Sequence, residues 1–250
     1  MNFNNILFID IETVSQFETY NHLPDDWKEL WDIKANLVLR NREGESAESI
    51  YERAGIYAEF GKIICISCGY IQGSGEDKKL HIKSYYGNDE KKLLQDFCTV
   101  LNNWGKDNDR IREEKDRKYL CAHNGKEFDY PYLCRRMIIN GVQLPPILTM
   151  YGKKPWELCH YDTMELWKFG DYKSYTSLKL LAKALDVPSP KDDIDGSQVN
   201  TVFWNDHNLD RIVEYCQKDV ITLAQVMLRF YCEPLIRNEN INIKYAGQES

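Results

Sequence analysis

The sequence predicts an α/β protein: a mixed sheet that starts as three antiparallel strands, continues with parallel strands and is flanked by helices. Three observations predict it. Apolar runs at 6–11, 61–71 and 80–87 are rich in isoleucine and aromatic residues, as strands are. From residue 90 onward, segments with apolar residues at helical spacing alternate with short apolar runs. The chain has 250 residues, enough for one large core, with no internal repeat and no low-complexity tract.

The elements follow in order. ILFIDI at 6–11 reads as a buried central strand. The polar, tryptophan-bearing segment 16–60 reads as a helical insertion beside the sheet. Within it DDWKELWDIKANLVL and SAESIYERAGIYAEF both have helical character, the second with Ser46 as N-cap, and 41–46 is a loop. GKIICISCGYI (61–71) and LHIKSYYG (80–87) flank a glycine-bearing turn and read as a hairpin. EKKLLQDFCTVLNNW (90–104) is a helix, and KYLCAHN (118–124) a fourth strand. DYPYLCRRMIINGV is a helix with Pro131 in its first turn and Gly141 just past its end. A strand at 158–161 leads into DTMELWKF, where Asp162 and Glu165 match a capping box. SLKLLAKAL is a helix capped by Ser177, SPKDDIDGS a loop, and 209–231 the last helix. The expected organisation is a single domain over 1–232 and a C-terminal tail over 233–250.

Composition narrows the function. Apolar residues make up 43% and charged residues 28%, as in an ordinary globular protein. No apolar stretch approaches the roughly 20 residues of a membrane span. The N-terminus has no basic region followed by an apolar one, so no secretion signal is read. Eight irregularly spaced cysteines then read as reduced thiols in a cytoplasmic protein. A net charge of −7 argues against a simple electrostatic binder of duplex DNA. It leaves room for an acidic site that loads metal ions and meets phosphate through them.

Three sites carry chemistry. Asp10 and Glu12 lie two apart on the first strand, so both point to one face, where two like charges are costly unless compensated. Acid-x-acid pairs are common, with roughly six expected by chance in so acidic a chain; their place on a buried strand is what singles them out. A solvated edge strand would also accommodate them. Asp129, in HNGKEFDY, stands where a strand passes into a helix. Aspartate there is a favoured cap, and the same place lets a carboxylate project from the end of the sheet, where α/β folds hold ligands. Asn124 and Phe128 precede it, and a phenylalanine at a site rim can stack on a nucleobase. Tyr215 and Asp219 lie one turn apart on the last helix, beside the apolar stripe Leu209, Ile212, Val213, Cys216, Val220, Leu223 and Met227.

Taken together, Asp10-x-Glu12, Asn124-x-x-x-Phe128-Asp129 and Tyr215-x-x-x-Asp219 resemble the DEDD superfamily of 3′-5′ exonucleases, in its DEDDy (DnaQ-like) branch, which has a ribonuclease-H-like fold. GKIICIS, SLKLLAKALDVPSPKDDIDGSQV and YCQKDVITL are similar to the predicted exonucleases related to the proofreading domain of family B DNA polymerases. The resemblance covers roughly residues 5–229 and is weakest over 16–60. It implies 3′-5′ removal of nucleotides with two Mg²⁺ or Mn²⁺ ions per site. It implies that Asp10 bridges both ions, that Glu12 and Asp219 complete the nucleophile-side ion, and that Asp129 holds the second through water. Tyr215 would orient the attacking water. Thr13 and Val14 would meet the 3′ end through backbone groups, and Asn124 and Phe128 would touch the terminal nucleotides. Lys153, Lys154, Lys168, Lys173 and Lys179 are either phosphate contacts or ordinary solvated surface. The implied partners are single-stranded nucleic acid 3′ ends, DNA ahead of RNA, and an unidentified polymerase or repair protein; no membrane is involved. About thirty residues follow Asp219, so a free-standing nuclease is expected.

Other readings are weaker. Cys65-x-x-Cys68 lies on a strand, which turns the two thiols to opposite faces, and no second such pair follows, so buried thiols are expected rather than zinc. Asp192, Asp193, Asp195 and Gly196 resemble part of a calcium loop but lack the closing glutamate, which favours a turn. An exoribonuclease, and a catalytically silent nucleic-acid- or protein-binding module on the same fold, remain alternatives to the DNA exonuclease.

Overall fold

A computed structural model describes residues 1–40, 44–108, 110, 113, 116–171, 175–188 and 194–244. Lys173, Asp192, Asp193 and part of the loop expected over 41–46 lie outside the described residues. Six strands form one sheet: β1 (Ile6–Ser15), β2 (Gly61–Gln72), β3 (Lys79–Tyr86), β4 (Tyr119–Ala122), β5 (Tyr161–Asp162) and β6 (Ile241–Lys244), in the order β5-β4-β1-β2-β3-β6. β1, β2 and β3 pair antiparallel, and β4, β5 and β6 add in parallel, the mixed sheet expected from the sequence.

Side-chain alternation along β1 sorts the layers. Leu7, Ile9 and Ile11 pack on α2 (Glu90–Gly105) and α3 (Asp129–Ile139), through residues such as Phe97, Leu133 and Met137. Ile6 and Phe8 face the opposite way, onto Val220, Leu223 and Met227 of the long α7 (Leu209–Phe230). Asp10 and Glu12 continue this second row. The face they share is therefore the one α7 covers.

Two devices hold the frame. Glu90, at the start of α2, is buried and accepts from Ile63 N–H (2.7 Å), Arg136 Nε (2.9 Å) and Asn140 Nδ2 (2.9 Å), and it pairs with Arg136 Nη2 (2.5 Å). Each lone pair has a donor, which is what a buried ion pair needs. Gly69 in β2 lets α7 come close: a Cβ there would meet Val220 Cγ1 at 3.1 Å.

The helical insertion holds α1 (Asp25–Val38), as its pattern predicts. Trp31 is fully buried, stacks edge-on to Phe60 (5.2 Å) and Tyr51 (5.5 Å), and donates to Ala47 O at 2.8 Å. The second helix expected there is instead a 3-10 turn, Tyr51–Ile56. Ser46 and Ser49 do cap each other's N–H groups (2.8 and 3.1 Å), but the chain then tightens against β1. A Cβ on Gly55 would sit 2.9 Å from the Val14 main chain, and Gly55 O accepts from the Tyr132 hydroxyl at 2.7 Å.

Three further differences from expectation have local causes. β1 runs on to Ser15, because Asn200 of α6 (Val199–Trp204) accepts from Ser15 N–H at 2.8 Å and Trp204 Nε1 donates to Ser15 O at 3.2 Å. β5 is shorter than the run at 158–161, since His160 turns inward to bond Ile147 O (2.8 Å) and Leu120 N–H (3.3 Å). The tail expected from 233 onward returns to the sheet. Gln225 clasps Ile236 by two hydrogen bonds (2.7 and 3.0 Å), and β6 then pairs with β3.

Candidate active site

Asp10 and Glu12 sit where β1 outruns β4, which pairs with it only as far as Phe8. A register shift follows Glu12, with Ile64 as the extra residue on β2. Bulges of this kind re-aim side chains and recur beside active sites. Here it turns Ile64 and Cys65 to the same face, toward α7.

Four carboxylates converge from three elements. The ligand atoms of Asp10, Glu12 and Cys216 lie within 4.8 Å of one another. Burial, then the charges of Asp219 and Asp129, hold the Asp10 carboxyl well above the usual carboxylate range. Burial, then Asp10, Asp219 and Asp129, do the same to Glu12. Asp129, the first residue of α3, is pushed up to about 7, chiefly by burial; its own N–H and the N–H of Ile11 pull the other way. Ile11 is free to donate there because β4 has already ended.

Asp10 Oδ2 is buried with no hydrogen-bond partner. A buried carboxylate oxygen without a donor is costly, and a cation removes the cost. Hard oxygen donors suit Mg²⁺ or Mn²⁺. The residues present therefore fit a divalent metal.

Tyr215 and Asp219 stand one turn apart on α7, and the tyrosine hydroxyl hydrogen-bonds the Asp219 carboxylate. Burial first, then the charges of Asp219, Glu12 and Asp10, raise the phenol far above its ordinary value, so it stays protonated.

The loop between β4 and α3 is held by Asp162. Its Oδ1 accepts from Asn124 N–H (3.0 Å) and its Oδ2 from Lys126 N–H (3.0 Å), while it also caps α4 (Thr163–Lys168) through Met164 and Glu165 N–H (2.9 and 3.2 Å). The capping box read from the sequence is thus half formed. Glu165 pairs with Lys126 Nζ at 2.6 Å, on the loop that Asp162 binds. Asn124 takes a left-handed conformation (φ 62°), and its side-chain Oδ1 is buried without a partner. Phe128 lies on Tyr132, ring centroids 5.3 Å apart. His123 closes the loop's far side, between the Thr163 hydroxyl (2.9 Å) and Thr176 O (2.8 Å).

Of the expected residues, Asp10, Glu12, Asp129, Tyr215 and Asp219 meet. Asn124 flanks them with an unsatisfied acceptor. The Val14 side chain is fully buried in the core, and the Thr13 hydroxyl shares a hydrogen bond with Tyr132, which leaves their main chains for any contact. Cys65 and Cys68 lie in cores on opposite faces, free thiols as expected. Asp195 forms a turn, accepting from Ser197 N–H at 2.9 Å.

Two residues of the site were not read from the sequence. Cys216 looked like one more apolar position of the α7 stripe. Its thiol donates to Asp10 O at 3.5 Å and is kept protonated, first by burial and then by a hydrogen bond with Cys65. Asp162 carried a signal, its capping pattern, but the pattern does not reveal the loop it also binds.

The RNase_H_2 family, of the RNase_H superfamily, matches residues 51–231. Among curated proteins nothing matches. A solved structure, the family B DNA polymerase from the hyperthermophilic archaeon Pyrobaculum calidifontis, is similar with a TM-score of 0.49 and 16% identity, over 89% of this chain and 24% of its own. This chain thus spans about a quarter of that polymerase's length. No helix among the described residues is long and apolar enough to cross a membrane. The family match over 51–231, on a mixed sheet with this acidic cluster, makes the chain a member of the RNase_H superfamily, a nuclease fold.

Proposed function

We propose that the protein is a metal-dependent 3′-5′ exonuclease that removes nucleotides from single-stranded DNA. The observation that carries this reading is the convergence of Asp10, Asp219 and the buried Glu12 and Asp129 around a buried Asp10 oxygen with no donor. In the proposal these four residues hold two Mg²⁺ or Mn²⁺ ions. Bound there, such ions activate a water and stabilise the leaving oxygen of a phosphodiester.

The chain's own groups do the rest. Tyr215, protonated and fixed by Asp219, positions the attacking water rather than taking its proton. Asn124 offers its buried Oδ1 to a donor on the terminal nucleotide, Phe128 offers a ring face, and Thr13 and Val14 offer main-chain groups. The single domain is taken as 1–232, with β6 of the segment that follows paired onto its sheet. The resemblance to proofreading exonucleases supports a role in proofreading or DNA repair beside an unidentified polymerase or repair partner, and the free thiols support a cytoplasmic place for it.

Degradation of 5′- and 3′-labelled single-stranded DNA and RNA, with Mg²⁺, Mn²⁺ or EDTA, tests the reading. A 5′-labelled DNA strand should shorten stepwise, the 3′ label should leave first, and EDTA should stop both. Degradation of RNA alone would replace DNA by RNA as substrate. No degradation of either would make the chain a binding module.

A further inference from the structure

Beyond the acid cluster, the outer face of α3 borders a groove. Pro131, Cys134, Arg135 and Ile138, spaced as one helix face, form one wall, and Tyr151 and Lys153 stand on the other, around a cavity of about 530 Å³. Its near end is Lys126 and Glu127, the residues just before Phe128 and Asp129. The groove therefore starts on the loop that leads into Asp129 and runs along α3.

Its chemistry is unlike that of the whole chain. Arg135 and Lys153 line it against one acid among the described residues, Glu127, while Lys126 is already paired with Glu165. Across Met150 and Lys153 lies a second cavity of about 310 Å³, which carries Arg117 and Lys118 and, among the described residues, no carboxylate. In a protein of net charge −7 this is a local reversal. The wall also displays an aromatic ring, Tyr151, 70% exposed; outside the lining but on the same segment, Trp156 is 69% exposed with Lys154 Nζ 5.1 Å from its ring centroid. The floor of Leu144, Leu148 and Leu158 is apolar. Cations beside exposed rings along one groove are the means by which single strands are bound without regard to sequence.

We propose that this groove holds the nucleotides upstream of the 3′ end, bases against Tyr151 and the leucine floor, phosphates on Arg135 and Lys153. The proposal rests on the nuclease reading for its choice of ligand. From Pro131 to Ile138 the helix face runs about 10 Å, room for about three stacked nucleotides.

Binding by the full chain of 5′-fluorescein-labelled dT and U oligomers, 3 and 12 nucleotides long, in EDTA, tests it by anisotropy. Wild-type affinity should rise with length. Tyr151→Ala should weaken the 12-mer about tenfold. Arg135→Glu with Lys153→Glu should weaken it further and lower the salt slope by about 1.4, that is by two phosphate contacts. Lys91→Glu, an exposed charge reversal on α2, is the control. Equal affinity for both lengths, or groove variants indistinguishable from that control, overturns the groove. If the wild type degrades nucleic acid and the groove variants bind normally, the groove alone fails. If the wild type degrades nothing while the groove variants lose binding, the exonuclease reading fails and the groove stands.

Discussion

Asp162 Oδ1 accepts the main-chain N–H of Asn124 at 3.0 Å, so a carboxylate on β5 fixes the loop that delivers Asp129 to the acid cluster. The same side chain binds Lys126 N–H and caps α4. Asp162→Ala leaves several buried donors unsatisfied and should cost about 3 kcal/mol of stability, read from the urea midpoint. Asp162→Asn keeps one acceptor oxygen and should fold better, yet need more Mg²⁺ for half-maximal activity. An unchanged metal requirement would show that the loop is held by other means.

Asp10→Asn and Asp219→Ala should remain folded and lose nearly all exonuclease activity. The wild type should gain melting temperature on adding Mg²⁺ or Mn²⁺, because ligands that bind only the native state stabilise it. Asp10→Asn should gain much less. An equal thermal shift in both proteins would mean that Asp10 holds no metal.

Tyr215→Phe should slow turnover by up to about 100-fold, the scale of losing one positioning contact. Its metal-induced thermal shift should survive. Loss of that shift to the extent seen in Asp10→Asn would make the tyrosine a structural support of the metal site instead of a guide for water.

The raised acids set a pH dependence whose sign is fixed. Asp129 goes from 3.8 to about 7 on folding. Stability from the buried neutral acid is full below about pH 4 and is lost as pH rises through 7. In EDTA, Asp129→Asn should therefore be more stable than wild type at pH 8 and equal to it near pH 4. Thermal melts across that range, with each protein measured in parallel, decide it; a constant difference would contradict a titrating Asp129.

The opposite sign holds at His160. Burial depresses its imidazole to about 4, and the two ring nitrogens bond Ile147 O and Leu120 N–H. A neutral buried histidine contributes stability above about pH 6.5 that is lost as pH falls through 4. The loss should reach about 3 kcal/mol, and His160→Gln should flatten this acid limb of the stability profile.

Strands β1 to β4, the long helices and the five residues that meet at the acid cluster were legible in the sequence for physical reasons, whereas β6 lies in what reads as a tail. Isoleucine-rich runs make strands, and carboxylates inside such a run need a purpose, so Asp10 and Glu12 stand out. Residues whose partners come from far along the chain were not legible. Asn200 completes β1 at Ser15, 185 positions away, and no local pattern announces it. Cys216 was hidden by its own hydrophobic stripe. The 3-10 turn at Tyr51–Ile56 carries a helix-like sequence, and only the approach of Gly55 to Val14 tightens it.

β6 has a consequence for how the protein behaves in solution. Without it, β3 would be the border of the sheet, a row of open amide and carbonyl groups beside the apolar Leu80 and Ile82. Such borders recruit strands from other molecules. Shortening the chain after Tyr231, where the compact helical part ends, would remove the cover and favour clumping in a concentration-dependent way, while leaving every residue of the acid cluster in place. The four residues Ile241–Lys244 keep neighbouring copies from pairing there.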